Sequence, residues 1–271
     1  MMGNDGNGIS DFEESDRALS NVIGFVLAFA VIITAVGFVS IFGIGVLENV
    51  QQAEQDDNAE LALSVLANNF DALASGEGPR RSSELDLSDG SLYVRNESRM
   101  IVTVEHDGTA SPAVYDIYPG SIEFGTGSGS SERIVYENGA TLRGNTQADG
   151  VAVVQNEPRM VCREETAILS FVRLNESINV GYGSGTVQIT GYQEHTRVLY
   201  PTNLTGAKNA TSATGVTVEF NTVFDRGWEN YLVTEGEAWE DGATSGTVEC
   251  DVGSDGRVYV RETVLTVTAS R

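Results

Sequence analysis

The sequence predicts an α+β protein, in which a long N-terminal helix, first membrane-spanning and then amphipathic, precedes an antiparallel β-sandwich-like domain. Three observations predict this fold class: an uncharged apolar run, a polar helix-forming stretch after it, and short alternating segments between glycine-rich turns over the rest. The corresponding divisions are a leader at 1–18, expected to be removed, a transmembrane helix at 19–47, an amphipathic extension at 48–75 and an all-β domain at 80–271.

The apolar run extends from Val22 to Leu47, and its polar residues are Thr34 and Ser40. A helix of ~26 residues is ~39 Å long, enough to cross the ~30 Å hydrocarbon core of a bilayer. A surface helix of a soluble domain is apolar on one side only. We therefore expect this helix to lie in a membrane or to pack against copies of itself.

Residues 1–16 are polar and acidic and contain several glycines, which predicts a leader that is disordered or removed and does not belong to the fold. An ordinary secretory signal has a basic start, a short apolar core and a cleavage site after that core. Here the one basic residue, Arg17, lies directly before the apolar run. If the leader is cleaved, the cut must therefore fall before the helix.

Beyond Glu48, helix-forming residues continue until the helix-ending sequence around Gly76 and Pro79. The apolar residues interpreted as one helix face are Leu61, Val65, Leu66, Phe70 and Leu73. We expect this face to pack on the domain that follows or on a neighbouring subunit.

The remainder of the chain has the pattern of an all-β domain with one short helix, predicted at Trp228–Thr234. Asn138-Gly139 between two apolar segments predicts a hairpin with a type I′ turn. The number of strands predicts a sandwich of two antiparallel sheets. The predicted strands are Ser91–Arg95, Met100–His106, Ala113–Tyr118, Ser121–Phe124, Arg133–Glu137, Ala140–Arg143, Gly150–Gln155, Ala167–Leu174, Gly185–Glu194, Val216–Phe224, Gly246–Asp251, Val258–Val260 and Glu262–Ala269.

The charge balance is strongly acidic, with 39 aspartates and glutamates against 16 basic residues and a formal net charge of −23. Such a surface argues against a nucleic-acid partner, because phosphate contacts need clustered basic side chains. Lys208 is the one lysine. Many carboxylates with almost no lysine are typical of proteins that stay hydrated in concentrated salt, so we expect an extreme halophile.

The two cysteines, Cys162 and Cys250, leave two alternatives open. They form one disulfide if the domain is exported, or they are two buried free thiols. No grouping of cysteine and histidine has the spacing of a metal site.

The segment Arg17-Ala18-Leu19-Ser20-Asn21-Val22-Ile23-Gly24 resembles the processing region of archaeal type IV pilins. In that family a basic and a small residue precede the cleaved bond, and a Ser-Pro-Val-Ile-Gly run begins the helix. The resemblance implies a class III signal peptide, in which prepilin peptidase recognises Arg17 and Ala18, and Leu19 becomes the first residue.

The processed helix would then remain in the membrane or bundle with identical or other pilin-like subunits. Close helix packing needs small residues at the contact, and Gly24, Ala28 and Gly37 are candidates for those positions.

The rest of the chain resembles a haloarchaeal family of pilin-like surface proteins of unassigned function. The stretches that carry this likeness are DNAELALSVLANNFDALASGEGPRRSSELDL, RIVYENGAT, QNEPRMVCREETAILSFVRL and GWENYL. The resemblance implies a single-pass protein of the cell membrane with its β domain outside the cell. Its expected role is structural or adhesive, as a major or minor subunit of a type IV pilus-like filament. The alternative is an anchored extracellular binding domain that does not polymerise.

Four sequons mark candidate N-glycosylation sites. Asn203 and Asn209 lie in a polar loop and are the better acceptors, ahead of Asn96 and Asn175.

Other motifs do not indicate catalysis, a metal or a cofactor. The segment from Asp251 to Glu262 partly matches a calcium loop, but Gly253 supplies no ligand, so a tight hairpin turn is favoured. The glycine-serine run 125–131 lacks the end of a phosphate loop. The acidic pairs Asp56-Asp57 and Glu164-Glu165 are interpreted as solvated surface. We therefore expect no enzyme, and an anchored hydrolase is the least favoured reading.

Overall fold

The computed structural model describes residues 10–87, 90–106, 111–125, 131–176, 182–183, 185–202 and 213–271. For residues 10–21, 42–49, 51–52, 176 and 182–183 it describes the backbone alone. The chain forms two compact units, Met1–Ala53 and Glu54–Arg271.

Two helices are present: α1 at Ser10–Ala74 and α2 at Asp225–Glu235. Helix α1 begins inside the predicted leader, so the prediction of an unstructured leader is wrong for residues 10–16. The sequence Ser10-Asp-Phe-Glu13 matches the S-x-x-E pattern that favours a helix start, and this local signal outweighs the acidic composition.

Helix α1 ends where the glycines predicted it to end. Gly76 has φ +82°. Its N–H donates to the Leu73 carbonyl at 2.9 Å, and the Glu77 N–H donates to the Ala72 carbonyl at 2.8 Å. This pair of bonds is a Schellman motif, which satisfies the last free carbonyls of the helix.

The β-rich unit contains sixteen strands among the described residues. They are β1 Arg80–Asp86, β2 Ser91–Arg95, β3 Arg99–His106, β4 Ala113–Ile117, β5 Ser121–Gly125, β6 Glu132–Glu137, β7 Ala140–Asn145, β8 Ala152–Asn156, β9 Met160–Arg163, β10 Thr166–Glu176, β11 Tyr182–Gly183, β12 Thr186–Tyr200, β13 Ala213–Asn221, β14 Glu240–Asp241, β15 Thr247–Asp251 and β16 Arg257–Ser270.

The strands form three sheets, where two were predicted. Sheet A has the order β1-β12-β16-β10-β9, sheet B β11-β2-β5-β6-β7-β8, and sheet C β14-β15-β13-β3-β4. The pairing is antiparallel throughout the described strands except for the parallel pair β10 and β16. The α+β class is therefore confirmed, with a mostly antiparallel β domain.

Strand prediction failed at polar or interrupted segments. The strand β1 reads Arg-Arg-Ser-Ser-Glu-Leu-Asp and was not predicted, because only Ser83 and Leu85 on one face are buried. The predicted segments Val258–Val260 and Glu262–Ala269 are one continuous strand, β16. The charged residue between them, Arg261, is half-buried and donates from Nε to Ser170 Oγ at 2.8 Å.

The long strands of sheet A contribute side chains to two separate cores, one on each face of the sheet. On β16, Val258 and Val260 belong to a core shared with sheet C and α2, whereas Leu265 and Val267 belong to a core beneath α1. Alternate side chains of a strand point to opposite faces, and here the covered face changes along the strand.

The segment of α1 from Glu54 to Ala74 packs on the β domain, but the predicted apolar face is partly wrong. Leu61 is 66% exposed and Val65 is 47% exposed. At 100° per residue both lie more than 100° from the centre of the buried face. That face is formed by Ala59, Leu63, Leu66, Ala67, Phe70, Leu73 and Ala74.

One glycine permits this packing. A Cβ at Gly191 of β12 would lie 2.7 Å from the Phe70 ring and 3.0 Å from Leu73 Cδ1. A larger residue there would push the helix away from sheet A.

Polar contacts fix the edges of the same helical segment. Arg143 of β7 lies within 4 Å of four carboxylates: Asp56 at 3.8 Å, Asp57 at 3.2 Å and Glu60 at 3.0 Å on α1, and Glu132 at 2.8 Å on β6. Hydrogen bonds from the guanidinium to Glu132 above all, and to Glu60 and Asp57, hold the pKa of Arg143 above its ordinary value. At the other end of the segment Arg159 pairs with Asp71.

The predicted Asn138-Gly139 hairpin between β6 and β7 is confirmed. Asn138 has φ 47° and Gly139 φ 83°, as a type I′ turn requires. Asn138 is buried, and its Oδ1 accepts a hydrogen bond from the Val172 N–H at 2.9 Å. The tip of the hairpin is thus fixed to strand β10 of sheet A.

Candidate functional site

The most distinctive feature of the first unit is its exposed apolar helix. Residues Val22–Ile41 have a mean hydropathy of 2.8 and lie on α1. Every large apolar side chain in this stretch is at least 54% exposed. By length and composition, it can cross a membrane or act as a signal sequence.

The predicted packing residues lie on this exposed segment. A Cβ added at Gly24 or Gly37 would meet no atom within 4 Å, and Ala28 is exposed. At 100° per residue, Gly24 and Ala28 lie on one side, and Gly37 lies about 160° from the midpoint between them. The Thr34 hydroxyl donates to the Ala30 carbonyl at 2.7 Å, which satisfies a polar group inside the apolar segment.

The predicted processing residues Arg17, Ala18 and Leu19 lie within helix α1, where the structure describes their backbone alone. The predicted glycosylation sites Asn203 and Asn209 lie outside the described residues.

The structure contains the disulfide, the first of the two alternatives for the cysteines. Cys162 on β9 and Cys250 on β15 are joined, with Cα atoms 5.9 Å apart and both side chains buried. The bond connects sheet A to sheet C across their shared core, over a sequence separation of 88 residues.

The two remaining sequons differ in their surroundings. Asn96 is exposed in the turn between β2 and β3, but the hydroxyl-bearing Ser98 is 6% exposed and hydrogen-bonds the Glu137 carboxyl. Asn175 is exposed near the end of β10, and its Nδ2 donates to Glu194 Oε2 at 2.9 Å.

The segment that partly matches a calcium loop is a turn followed by a strand, as the favoured reading predicted. Glu262 lies within β16, 3% exposed. Its carboxylate accepts from Arg197 at 2.8 Å and pairs with Arg173 at 3.3 Å. It therefore serves as the buried anion between two arginines.

The acidic pairs differ from the prediction in one respect. Glu164-Glu165 form the exposed turn between β9 and β10, as expected of solvated surface. Asp57 is also exposed, but Asp56 is 6% exposed and lies beside Arg143, so the surface reading is wrong for Asp56. Among the described residues, no three histidine, cysteine, aspartate or glutamate side chains are placed to hold a metal ion.

A buried carboxyl network was missed entirely by the sequence analysis. Glu137, at the end of β6, is 3% exposed, and its Oε2 accepts from Trp228 Nε1 of α2 at 2.7 Å. The hydroxyls of Ser98 and Thr222 also bond this carboxyl. Burial raises the pKa of Glu137 to about 7, partly offset by these hydrogen bonds.

A second buried carboxylate, Glu123 of β5, lies on the neighbouring strand at 5% exposure. Arg95 Nε donates to its Oε2 at 2.9 Å. Its negative charge further raises the pKa of Glu137. The one sequence signal for this network was the glutamate directly before the Asn-Gly turn, in a segment with no alternation. The network joins sheet B to α2 and offers no accessible reactive group.

Comparison with known proteins gives one result. No curated protein matches the chain, and no solved structure matches it. A family model matches residues 17–268, and therefore includes both the apolar helix and the β-rich unit. The chain belongs to the Family of unknown function (DUF7289).

Proposed function

We propose that this chain is a membrane-anchored, pilin-like surface protein that serves as a structural or minor subunit of a type IV pilus-like filament. Helix α1 would be cleaved after Ala18 by a prepilin peptidase. The β-rich unit would lie outside the cell. Its acidic surface, with a net charge of −23, would suit a haloarchaeal surface in concentrated salt.

The observation that carries the proposal is the exposure of Val22–Ile41. Thirteen large apolar side chains there are more than half exposed. Each would gain about 1.5–3 kcal/mol from full burial, so the segment favours an apolar surrounding strongly. A bilayer and a bundle of identical helices are the two surroundings that a pilin-type helix uses in turn.

The small residues support the bundle. Gly24 and Ala28 form one narrow face, and Ala30, Thr34 and Gly37 form another on the opposite side. Helices approach closely where such residues meet. A helix that is narrow on two sides can contact two neighbours, which a continuous bundle requires.

The disulfide supports the exterior location of the β domain. Buried disulfides persist in oxidising compartments and are rare in the cytosol. Cys162–Cys250 lies within the core shared by sheets A and C, so it forms part of the folded domain.

Two measurements on cells that produce the full chain test anchoring and orientation. We expect the protein to stay in the membrane fraction after a carbonate wash, and protease added to intact cells to cut the β-rich unit. The matched control is Ile32→Asp/Ile33→Asp, because a charge at the centre of a span costs about 2.5–3.5 kcal/mol. A wild-type chain that washes off the membrane, or is fully protected on intact cells, would contradict the proposal.

Cross-linking through a cysteine on the face formed by Gly24 and Ala28 distinguishes a filament subunit from the alternative, an anchored domain that does not polymerise. In Ala28→Cys the new thiol is free, because Cys162 and Cys250 are joined to each other. Copies bundled through this face should form oxidised dimers in the membrane, whereas Leu27→Cys beside it should form fewer. Equal, low yields from both variants would favour the monomeric anchor.

A further inference from the structure

A cleft of about 230 Å³ lies between strand β9 and the C-terminal end of helix α2. Pro158, Met160 and Leu232 line it and are buried, so the floor of the cleft is apolar. Tyr231 of α2 is half-buried and adds an aromatic ring to the wall. Concave sites with an apolar lining and a few polar groups are the usual form of a binding site. We call this site the α2 cleft.

Four charged side chains line the α2 cleft: Glu157, Arg163, Glu235 and Glu237. Arg163 donates from Nε to Glu237 Oε2 at 2.7 Å, so these two charges neutralise each other. Glu157 and Glu235 are exposed, and neither has an ion-pair or hydrogen-bond partner among the described residues. The cleft is therefore left with two unneutralised carboxylates.

Both of these carboxylates lie near the Tyr231 hydroxyl. Burial above all, and then the charges of Glu157 and Glu235, raise the pKa of this hydroxyl. Glu157 lies between β8 and β9, whereas Glu235 is the last residue of α2. Negative charge therefore reaches the Tyr231 side chain from two different elements of the fold.

The end of helix α2 adds negative potential that does not come from side chains. Leu232, Glu235 and the C-cap residue Gly236 line the cleft, and the last turn of α2 contains no basic residue. The free carbonyl groups at a helix C-terminus carry partial negative charge and favour a cation nearby. Side chains and backbone therefore select the same sign of charge.

We propose that the α2 cleft binds the side chain of an arginine that another protein presents. The methylene groups of the arginine would lie on the apolar floor, as long basic side chains do on apolar surface. Its planar guanidinium would stack on Tyr231 and donate paired hydrogen bonds to Glu157 or Glu235. The inference goes beyond the membrane and filament role and does not depend on it.

Other cations match the α2 cleft less well. A lysine ammonium is a strongly hydrated point charge and lacks the flat face and the fork of a guanidinium. Among the described residues, no three acidic, histidine or cysteine side chains are placed to hold a metal ion. Free arginine carries its own carboxylate, which Glu157 and Glu235 would repel, whereas in a polypeptide this group is an amide.

NMR titration of the full chain in detergent micelles tests the site, with N-acetyl-argininamide as the probe. Trp239 Nε1 donates to the Met160 carbonyl at 3.4 Å, so its indole signal reports on the floor of the cleft. We expect saturable shifts of this signal and of the Gly236 amide. The isosteric, uncharged N-acetyl-citrullinamide should bind about tenfold more weakly, because it lacks the charge-assisted hydrogen bonds.

Three variants separate the cleft from the general acidity of the chain. Glu157→Gln/Glu235→Gln should weaken binding of the probe about tenfold. Tyr231→Leu keeps both carboxylates and should weaken it about threefold through the lost ring. The matched control is Glu105→Gln/Glu249→Gln, which removes two carboxylates from a groove on sheet C that has no aromatic lining. It should leave the affinity within about twofold.

Three results would overturn the inference. The first is equal binding of the arginine and citrulline probes, and the second is an equal loss of affinity in the control and in Glu157→Gln/Glu235→Gln. The third is tighter binding of free arginine than of the capped probe, which would replace the protein partner by a small molecule. Near-UV circular dichroism checks that each variant keeps its fold.

Discussion

Trp228 Nε1 donates a hydrogen bond to Glu137 Oε2 at 2.7 Å, and both side chains are buried. This bond joins helix α2 to the tip of the β6–β7 hairpin. The carboxyl also faces the buried Glu123, whose charge is paired with Arg95. The Glu137 carboxyl therefore links sheet B to α2, and through Trp228 to the core between sheets A and C.

The stability of the fold should depend on the protonation of Glu137. Its pKa rises from 4.5 to about 7 on folding, because burial disfavours the charged form. The folded state then binds more protons than the unfolded state between these values, so stability falls as pH rises from about 4.5 to about 7. Below about 4.5 the contribution of Glu137 is fully present.

Glu137→Gln is the variant that isolates this contribution, because its amide oxygen still accepts from Trp228. We expect urea unfolding to show that the advantage of wild type over the variant shrinks by about 2–4 kcal/mol between pH 4.5 and 8. The tryptophan emission, to which Trp228 contributes, should titrate near pH 7 in the wild type and not in the variant. A pH-independent difference in stability would contradict the assignment.

Arg143 should control how firmly the segment 54–74 of α1 is held. Arg143→Gln leaves four carboxylates without their shared cation. We expect a loss of about 1–3 kcal/mol, between the values for exposed and for buried pairs. Hydrogen exchange should show the largest loss of protection around Asp56 to Glu60.

The matched control is Arg99→Gln, which removes an exposed pair with Asp116. Its effect on the free energy of unfolding should be clearly smaller than that of Arg143→Gln, because both charges of this pair are exposed to solvent. Equal effects of the two substitutions would show that the carboxylate cluster contributes nothing special to helix docking.

The buried face of α1 can be tested by two truncations. Phe70→Ala removes a fully buried ring that contacts the Tyr136 ring at 5.2 Å between centroids. We expect a loss of about 3–5 kcal/mol in thermal or urea unfolding. Leu61→Ala, on the 66% exposed side, should change stability by less than about 0.5 kcal/mol. An effect of Leu61→Ala as large as that of Phe70→Ala would restore the face predicted from sequence, which included both residues.

The disulfide should contribute to stability through the 88-residue separation that it closes. Cys162→Ala/Cys250→Ala should lower the free energy of unfolding by about 2–5 kcal/mol. Reductant should destabilise the wild type and leave the variant unchanged. Identical melting temperatures with and without reductant in the wild type would refute this contribution.

Sequence reasoning succeeded where one local signal sufficed. The apolar run, the Gly76 helix end and the Asn138-Gly139 turn each depend on neighbouring residues alone. It failed where burial depends on distant strands. Sheet B is covered on both faces, so Ile134 and Tyr136 pack under α1 while Val135 packs in the other core. A strand buried on both sides loses its alternation, which is why Glu137 could not be recognised as an interior carboxyl.

The face of α1 was misassigned for a related reason. Leu61 and Val65 are as apolar as Leu63, and only the position of the sheets decides which side is covered. The candidate membrane segment needed no such information, because every side of it is apolar.

The intact mass of the mature chain, purified from membranes of cells that contain a prepilin peptidase, tests the proposed role most directly. The pilin-like role predicts that the wild-type chain begins at Leu19. It also predicts that the Arg17→Glu variant, which lacks the basic residue before the cut, retains its leader. A wild-type chain that begins at Met1 or Met2 would contradict it.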